Sequence, residues 1–353
     1  MGKDRTPCIL LMNDIHVSKD NIPDFKDNWN EALSVCKKYG IREIALGGDL
    51  FQSRVSQTLD VLLTVHDMLL QAAQAGINTT LAEGNHDLVD QEALRGYCHI
   101  YDQHPAVTVV DDFLTLENPA WDFVLHMMSY FPENGSFTGR LQALAAGSLA
   151  SGKPNYLYIH QGINGALANP AEDELPAHIF QPFDKVLVGH YHNRAKIEGT
   201  HIEYIGSSRQ FNFGEDTAKG YTVLFSDGSY EFIPNQVNSR YEVIEVDAAK
   251  VDINLFDRIG EMKADPRCRI KVKVTGKSTD NIDKKRILEA GANKVEMICE
   301  DVNVIEAPEE GVLEKFDSNR IRQSYEEFCG KRSIEDATLG LSYLSKINVS
   351  CGV

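Results

Sequence analysis

Through the first 200 residues short apolar runs alternate with longer stretches whose apolar positions recur at helical spacing, a pattern that predicts an α/β protein. Strands are predicted at Cys8–Asn13, Glu43–Gly47, Asn78–Ala82, Val107–Val110, Phe123–Met128, Tyr156–Ile159, Lys185–Val188 and Glu203–Ile205. Helices are predicted at Asp24–Tyr39, Leu59–Ala75 and Gln91–His99; in the second of these Leu62, Leu63, Leu69, Leu70 and Ala73 form a core-facing stripe.

From Gly220 to Val246 the period shortens to that of alternating strands, and residues around 246–254 read as a connector. A strand at Arg269–Val274 and a helix near Asp280–Ala290 come next. The acidic stretch Ile305–Glu314 reads as a linker. Two amphipathic helices then close the chain, one from about Ser318 to Gly330 and one starting at Ser333. This divides the chain into a domain over 1–250, a small domain over 251–304 and a C-terminal part over 305–353.

Composition narrows the class. The chain has 353 residues, 25% of them charged, and no apolar run near the roughly 18 residues that span a bilayer. The apolar stretch Ile9–Met12 is too brief for a signal peptide, so a cytoplasmic protein is expected. Seven cysteines without a C-x-x-C pair suit free thiols in a reducing compartment and leave a thiolate zinc site without support. The net charge of −17 opposes binding to nucleic-acid phosphates. Residues 1–250 hold 33 acidic and 18 basic side chains, and residues 251–353 hold 19 and 17. The segment Arg267–Arg286 gathers eight cations against Asp280 and Asp283, and is either a solvated strand face or a phosphate-contacting surface.

Five segments share one design, in which metal-ligating residue types come directly after a predicted strand. They are Leu10-Leu-Met-Asn-Asp14-Ile-His16, Ala45-Leu-Gly-Gly-Asp49, Leu81-Ala-Glu-Gly-Asn85-His86-Asp87, Leu157-Tyr-Ile-His160 and Leu187-Val-Gly-His190-Tyr-His192. The carboxyl ends of strands in an open α/β sheet converge on one crevice, which would gather these side chains. Alternate residues of D-x-H and H-x-H face one side of an extended chain. Imidazole, carboxylate and amide oxygen without thiolate favour manganese, iron or zinc. Each piece alone is commonplace; five in succession point to a metal centre.

The set resembles the calcineurin-like metallophosphoesterases, and within them the nuclease subunit of SbcCD-type (SbcD/Mre-type) DNA repair complexes. The stretch from Tyr204 to Tyr221, containing Gly206-Ser-Ser-Arg-Gln-Phe-Asn-Phe-Gly-Glu215 and Lys219-Gly220, resembles the segment after the last metal motif in these nucleases. The chain length and short C-terminal part are most similar to the compact bacteriophage recombination-endonuclease subunit. The resemblance implies a four-layer α-β-β-α sandwich with a small α+β capping domain and C-terminal helices. It implies two divalent cations, with manganese expected first and iron, zinc or magnesium as alternatives. Asp14, His16, Asp49 and His192 would hold one, and Asp49, Asn85, His160 and His190 the other. His86 would be the catalytic histidine, oriented by Asp87. It further implies DNA as substrate, a homodimer, and docking of the terminal helices onto an SbcC-type coiled-coil ABC ATPase in a bacterial or phage-infected cytoplasm. Gln52 stands where members of the family carry His or Asp; it can hydrogen-bond phosphate but cannot transfer a proton. Gln52, Arg54, Lys271 and Lys273 are the expected DNA contacts. A small-molecule phosphodiesterase is the alternative enzyme, and a non-catalytic scaffold the alternative of another class.

Overall fold

Strand β1 (Pro7–Met12) sends alternate side chains to opposite faces, and both faces are buried: Leu10 and Met12 on one, Ile9 and Leu11 on the other. A strand without a solvent face belongs inside a layered structure, and the computed structural model places it there. It describes residues 5–299 apart from 91–92, 133–135, 148, 151, 168–173, 277–278 and 280, together with Tyr325 and Cys329. The predicted terminal helix from Ser333 and the expected linker Ile305–Glu314 lie outside the described residues; of the predicted helix from Ser318 only Tyr325 and Cys329 are described, both helical.

β1 runs parallel to β2 (Glu43–Gly47), β2 to β3 (Asn78–Ala82), and β3 to β4 (Val107–Val109). A second sheet contains β5 (Phe113–Leu116), β6 (Val124–Met128), β7 (Asn155–His160), β8 (Lys185–Gly189), β9 (Ala195–Lys196) and β10 (Ile202–Tyr204), in the order β5-β6-β7-β8-β10-β9. The chain then returns to the first sheet through the antiparallel pair β11 (Gly220–Phe225) and β12 (Tyr230–Pro234), which completes the order β12-β11-β1-β2-β3-β4.

Three cores stack these layers. Leu10 and Met12 pack under α1 (Ile22–Tyr39) and α2 (Leu59–Gln74) with Phe25, Trp29, Val61 and Val65. Ile9 and Leu11 meet Leu125, Met127, Tyr158 and Leu187 between the sheets. Leu157, Ile159, Val186 and Val188 face α3 (Ser136–Gly147) through Phe137, Leu141 and Leu144. The result is the four-layer α-β-β-α sandwich.

A third sheet, β13 (Arg240–Asp247), β14 (Cys268–Gly276) and β15 (Lys294–Cys299), packs Ile270, Val272 and Val274 with Leu255 and Ile259 of α4 (Ile253–Lys263) and Ile287 of α5 (Lys284–Glu289). It begins at Arg240, ahead of the 250/251 division, and the expected connector is taken up by the end of β13, a short turn and the start of α4. The predicted helix at Gln91–His99 is replaced, among its described residues, by bends and a short 3-10 turn, Tyr97–Tyr101. The buried Glu83 carboxylate accepts the N–H groups of Gly96 (2.8 Å) and Cys98 (2.9 Å), which pulls them out of helical register. No helix among the described residues is long and apolar enough to cross a membrane.

Candidate metal centre

All five motifs leave their strands at one edge of the two facing sheets. Beyond β1 the chain keeps pairing with the loop after β2: the N–H groups of Asp14, Ile15 and Val17 donate to the carbonyls of Gly48, Asp49 and Leu50. These bonds hold Asp14 (φ 50°), His16 (φ 48°) and Asp49 (φ 52°) in the left-handed region, and His190 also has positive φ (94°). L-residues there carry about 1–3 kcal/mol of strain each, and such strain clusters at functional sites. Four of the seven expected ligands share it.

The close approach of these loops dictates local sequence. A Cβ on Gly84 would lie 2.2 Å from Oδ1 of Asp49, and one on Gly48 would lie 2.5 Å from Nδ1 of His160. The room for Asp49 and His160 exists because both positions are glycine.

The expected ligands converge. His16 Nε2 lies 3.1 Å from His192 Nε2, 3.6 Å from Asp49 Oδ2 and 4.0 Å from Asp14 Oδ1. On the other side of Asp49, His160 Nε2 is 3.2 Å from the same Oδ2, and His190 Nδ1 is 3.2 Å from Asn85 Oδ1. The groups Asp14–His16–His192, His16–Asp49–His86 and Asp14–Asp49–His160 each gather their ligand atoms within 4.8 Å. Asp49 thus stands between two imidazole clusters. Asp14 is oriented by the His190 N–H, which donates to both of its oxygens, at 3.2 and 3.1 Å.

Protonation divides the cluster. Burial lowers the pKa of His16 and of His190 to about 4, so both rings are neutral with lone pairs to offer. At His160 burial also disfavours the charged ring, but Asp49 and Asp14 outweigh it and raise the pKa to about 9. Burial likewise opposes the charge of Asp49, yet the facing His160, with His16 and His86, holds it well below the usual carboxylate range. His160 Nδ1 donates to the Gly47 carbonyl (3.0 Å), while its buried Nε2 has no hydrogen-bond partner. A ring with one nitrogen fixed on a carbonyl and the other facing a carboxylate at 3.2 Å is oriented as a metal-ligating histidine is.

A cavity of about 280 Å³ opens over this cluster, lined by His16, Asp49, Asn85, His86, His190 and His192, with Gln52, Arg54, Phe211 and Asn212 around them. His86 belongs to it: its N–H donates to Asp49 Oδ1 (2.8 Å) and its ring Nδ1 to the Gln52 carbonyl (2.7 Å). That leaves Nε2 for the cavity. Asp87 does not orient this ring as expected. Its fully buried carboxylate accepts the N–H groups of Phe51 (2.9 Å), Gly84 (2.8 Å) and Leu50 (3.3 Å), tying the loop after β2 to the loop after β3. Burial, reinforced by Asp49, pushes its pKa up to about 8.

The expected DNA contacts divide. Gln52 and Arg54 line the cavity. Lys271 and Lys273 project from the other face of β14, where Lys271 pairs with Glu296 of β15 and Lys273 with Glu245 of β13 (2.8 Å). Cross-strand pairing inside the third sheet explains both lysines without DNA. Several other histidines are held by structural partners: His99 by Asp111, His104 by the His66 carbonyl, His126 by Asn155 and His201 by the Phe180 carbonyl.

No protein-family model matches the chain. The DNA double-strand break repair protein Mre11 of Methanopyrus kandleri is 21% identical over 299 residues, which span 76% of this chain and 63% of that protein. The SbcD component of the nuclease SbcCD from Staphylococcus epidermidis is 32% identical over 113 residues, 28% of this chain and 30% of that one. The chain is thus similar in sequence to proteins named Mre11 and SbcD. It spans less than two thirds of the length of these curated relatives. Among solved structures, a dimetal phosphatase from Danio rerio aligns at 11% identity over 62% of this chain and 92% of that one, with a TM-score of 0.39.

In this chain the stretch after β10 supports the cluster from behind. Arg209, 4% exposed, donates to the Ile15 carbonyl (2.9 Å) and lies over the Phe211 ring at 4.4 Å. Phe211 packs against His16 and His192, with ring centroids 5.3 and 5.2 Å away. Lys219 donates to the His192 carbonyl (2.6 Å), and Glu215 accepts from His192 Nδ1 (2.9 Å). The motif that includes these residues is visible in the sequence; their individual roles are not, because no spacing rule links residues that meet only through the fold.

Proposed function

We propose that this chain is a two-metal phosphodiesterase that cleaves DNA. The observation that carries the reading is the Asp49 carboxylate, set between His16 on one side and His160 on the other at 3.6 and 3.2 Å. Asp14, His16, Asp49 and His192 would hold one ion, and Asp49, Asn85, His160 and His190 the other; the donor set suits manganese, iron or zinc, and the family resemblance puts manganese first. Bound together, two such ions polarise a phosphodiester and activate water.

The chain's own residues do the rest. Gln52 and Arg54 line the cavity beside the ligands and are placed to contact the phosphates of a bound substrate. His86, with Nδ1 spent on the Gln52 carbonyl, offers Nε2 to the departing oxygen and donates a proton to it, a contribution typically worth about 10²–10⁴-fold. The strained loops are bonded to one another, so the ligands are positioned before substrate arrives.

DNA is favoured because the similar proteins are a nuclease component and a break-repair protein. A role in DNA end processing, repair or recombination beside an SbcC-type ABC ATPase, and as a homodimer, belongs to the same reading. A second reading, cleavage of a small diester, draws on one observation: of the four expected DNA contacts, Arg54 is the one cation that lines the cavity. Manganese-dependent cleavage of linear duplex, hairpin DNA and bis-p-nitrophenyl phosphate separates the two. Cleavage of duplex or hairpin supports the nuclease; hydrolysis of the small ester alone refutes it in favour of the second reading. Co-purification with a coiled-coil ATPase, lost on deletion of 316–353, tests the partner, and association unchanged by the deletion sinks that docking site.

A further inference from the structure

Two candidate metal positions share Asp49, but they are held in different ways. His160 is anchored by the backbone of the sheet itself, through the Gly47 carbonyl at the end of β2. His192 is anchored by a loop side chain: its Nδ1 donates to Glu215 Oε1 at 2.9 Å. Glu215 in turn is fixed from its own loop, by the Phe211 N–H on Oε2 (3.1 Å) and by Asn212 on Oε1 (2.9 Å). Gln210 then ties that loop to the third sheet. Its Nε2 donates to the carbonyls of Glu215 and Tyr241, both at 2.9 Å, and its Oε1 accepts the Tyr241 N–H at 2.8 Å. Tyr241 lies in β13, and its ring packs edge-on against Phe213 at 5.1 Å. An unbroken set of hydrogen bonds therefore runs from the first strand of the third sheet to one expected ligand, and His160 has its own anchor outside it.

We propose that Glu215 and Gln210 are positioning residues that set the affinity of the Asp14–His16–His192 metal position, and that Gln210 makes that position answer to the placement of β13. The inference rests on the two-metal reading. A carboxylate behind a ligating imidazole fixes its tautomer and raises its basicity, and losing such a partner typically costs about 10–100-fold in metal affinity. Removing Gln210 leaves Glu215 in place but frees its loop from β13, so the same position weakens by a smaller factor. The sheet-anchored position has no share in either change.

The test is a Mn2+ titration of the full-length chain and of Glu215→Gln and Gln210→Ala, monitored by calorimetry and by electron paramagnetic resonance. Wild type takes up two ions and develops a spin-coupled pair signal. Glu215→Gln weakens one ion about 10–100-fold, leaves the other unchanged, and gives a mononuclear signal at intermediate Mn2+. Gln210→Ala shifts the same ion by a few-fold and serves alone if the first variant does not fold. Two ions in wild type with neither variant shifted, or with both ions weakened alike, overturns the inference and leaves the two-metal reading standing. Fewer than two ions in wild type overturns that reading itself, and the inference with it.

Discussion

His160 and Asp49 face each other across 3.2 Å, Nε2 to Oδ2, while the other nitrogen of the same ring is bonded to the carbonyl of Gly47. The same carboxylate oxygen lies 3.6 Å from His16 Nε2, so one side chain serves two clusters. Asp49→Ala is therefore expected to lose both ions, whereas His192→Ala and His160→Ala lose one each. Metal analysis after gel filtration in Mn2+ reads this directly. Retention of two ions by Asp49→Ala would remove it from the shared position.

His86 touches Asp49 through its backbone N–H and presents its ring from the Gln52 carbonyl. His86→Ala keeps that backbone donor, so it should bind both ions as wild type does. Turnover of duplex DNA should fall about 10²–10⁴-fold, the usual worth of a general acid. Full activity in this variant excludes His86 from proton transfer.

Gly84→Ala tests the packing of the two loops. The added methyl would lie 2.2 Å from Asp49 Oδ1 and 2.3 Å from its backbone nitrogen, so one loop must move. The expected cost is about 1–3 kcal/mol of stability, as for other overpacked sites. A weaker Mn2+ isotherm should accompany a lower melting midpoint. An unchanged pair of values contradicts the contact.

His99 gives stability a pH dependence away from the cavity. Burial opposes its charge, but Glu83 at 3.2 Å and Asp111 at 2.8 Å outweigh burial and raise its pKa above the ordinary 6.5. A raised folded-state value contributes stability that is fully present below pH 6.5 and is lost as pH climbs through the folded value. Denaturant unfolding should therefore show His99→Gln to be more destabilising at about pH 6 than at about pH 9. An equal loss at both would mean that His99 acts by packing alone.

The fold was largely legible in the sequence because both main sheets are built mostly from parallel strands buried on two faces, which read as unbroken apolar runs. β2 and β3 carry the predicted bounds, β1 is shifted by one residue at both ends, and β8 is longer by one residue. The convergence of the seven expected ligands was legible because each comes at or just after the end of such a run. What escaped was non-local. The carboxylate of Glu83 turns Gln91–His99 away from a helix, and Glu296 and Glu245 neutralise Lys271 and Lys273 from neighbouring strands. Glu215 and Arg209 reach the cluster only because β11 folds back onto β1 and brings the loop before it against Ile15 and His192. No window of sequence contains those pairs.

Diffraction from crystals of the full chain grown with Mn2+, with anomalous scattering recorded at the manganese edge, tests the central claim most directly. The account predicts two anomalous peaks roughly 3.5–4 Å apart, both in contact with Asp49, one beside His16 and His192 and the other beside His160 and His190. A single peak, or two that do not share Asp49, would contradict it.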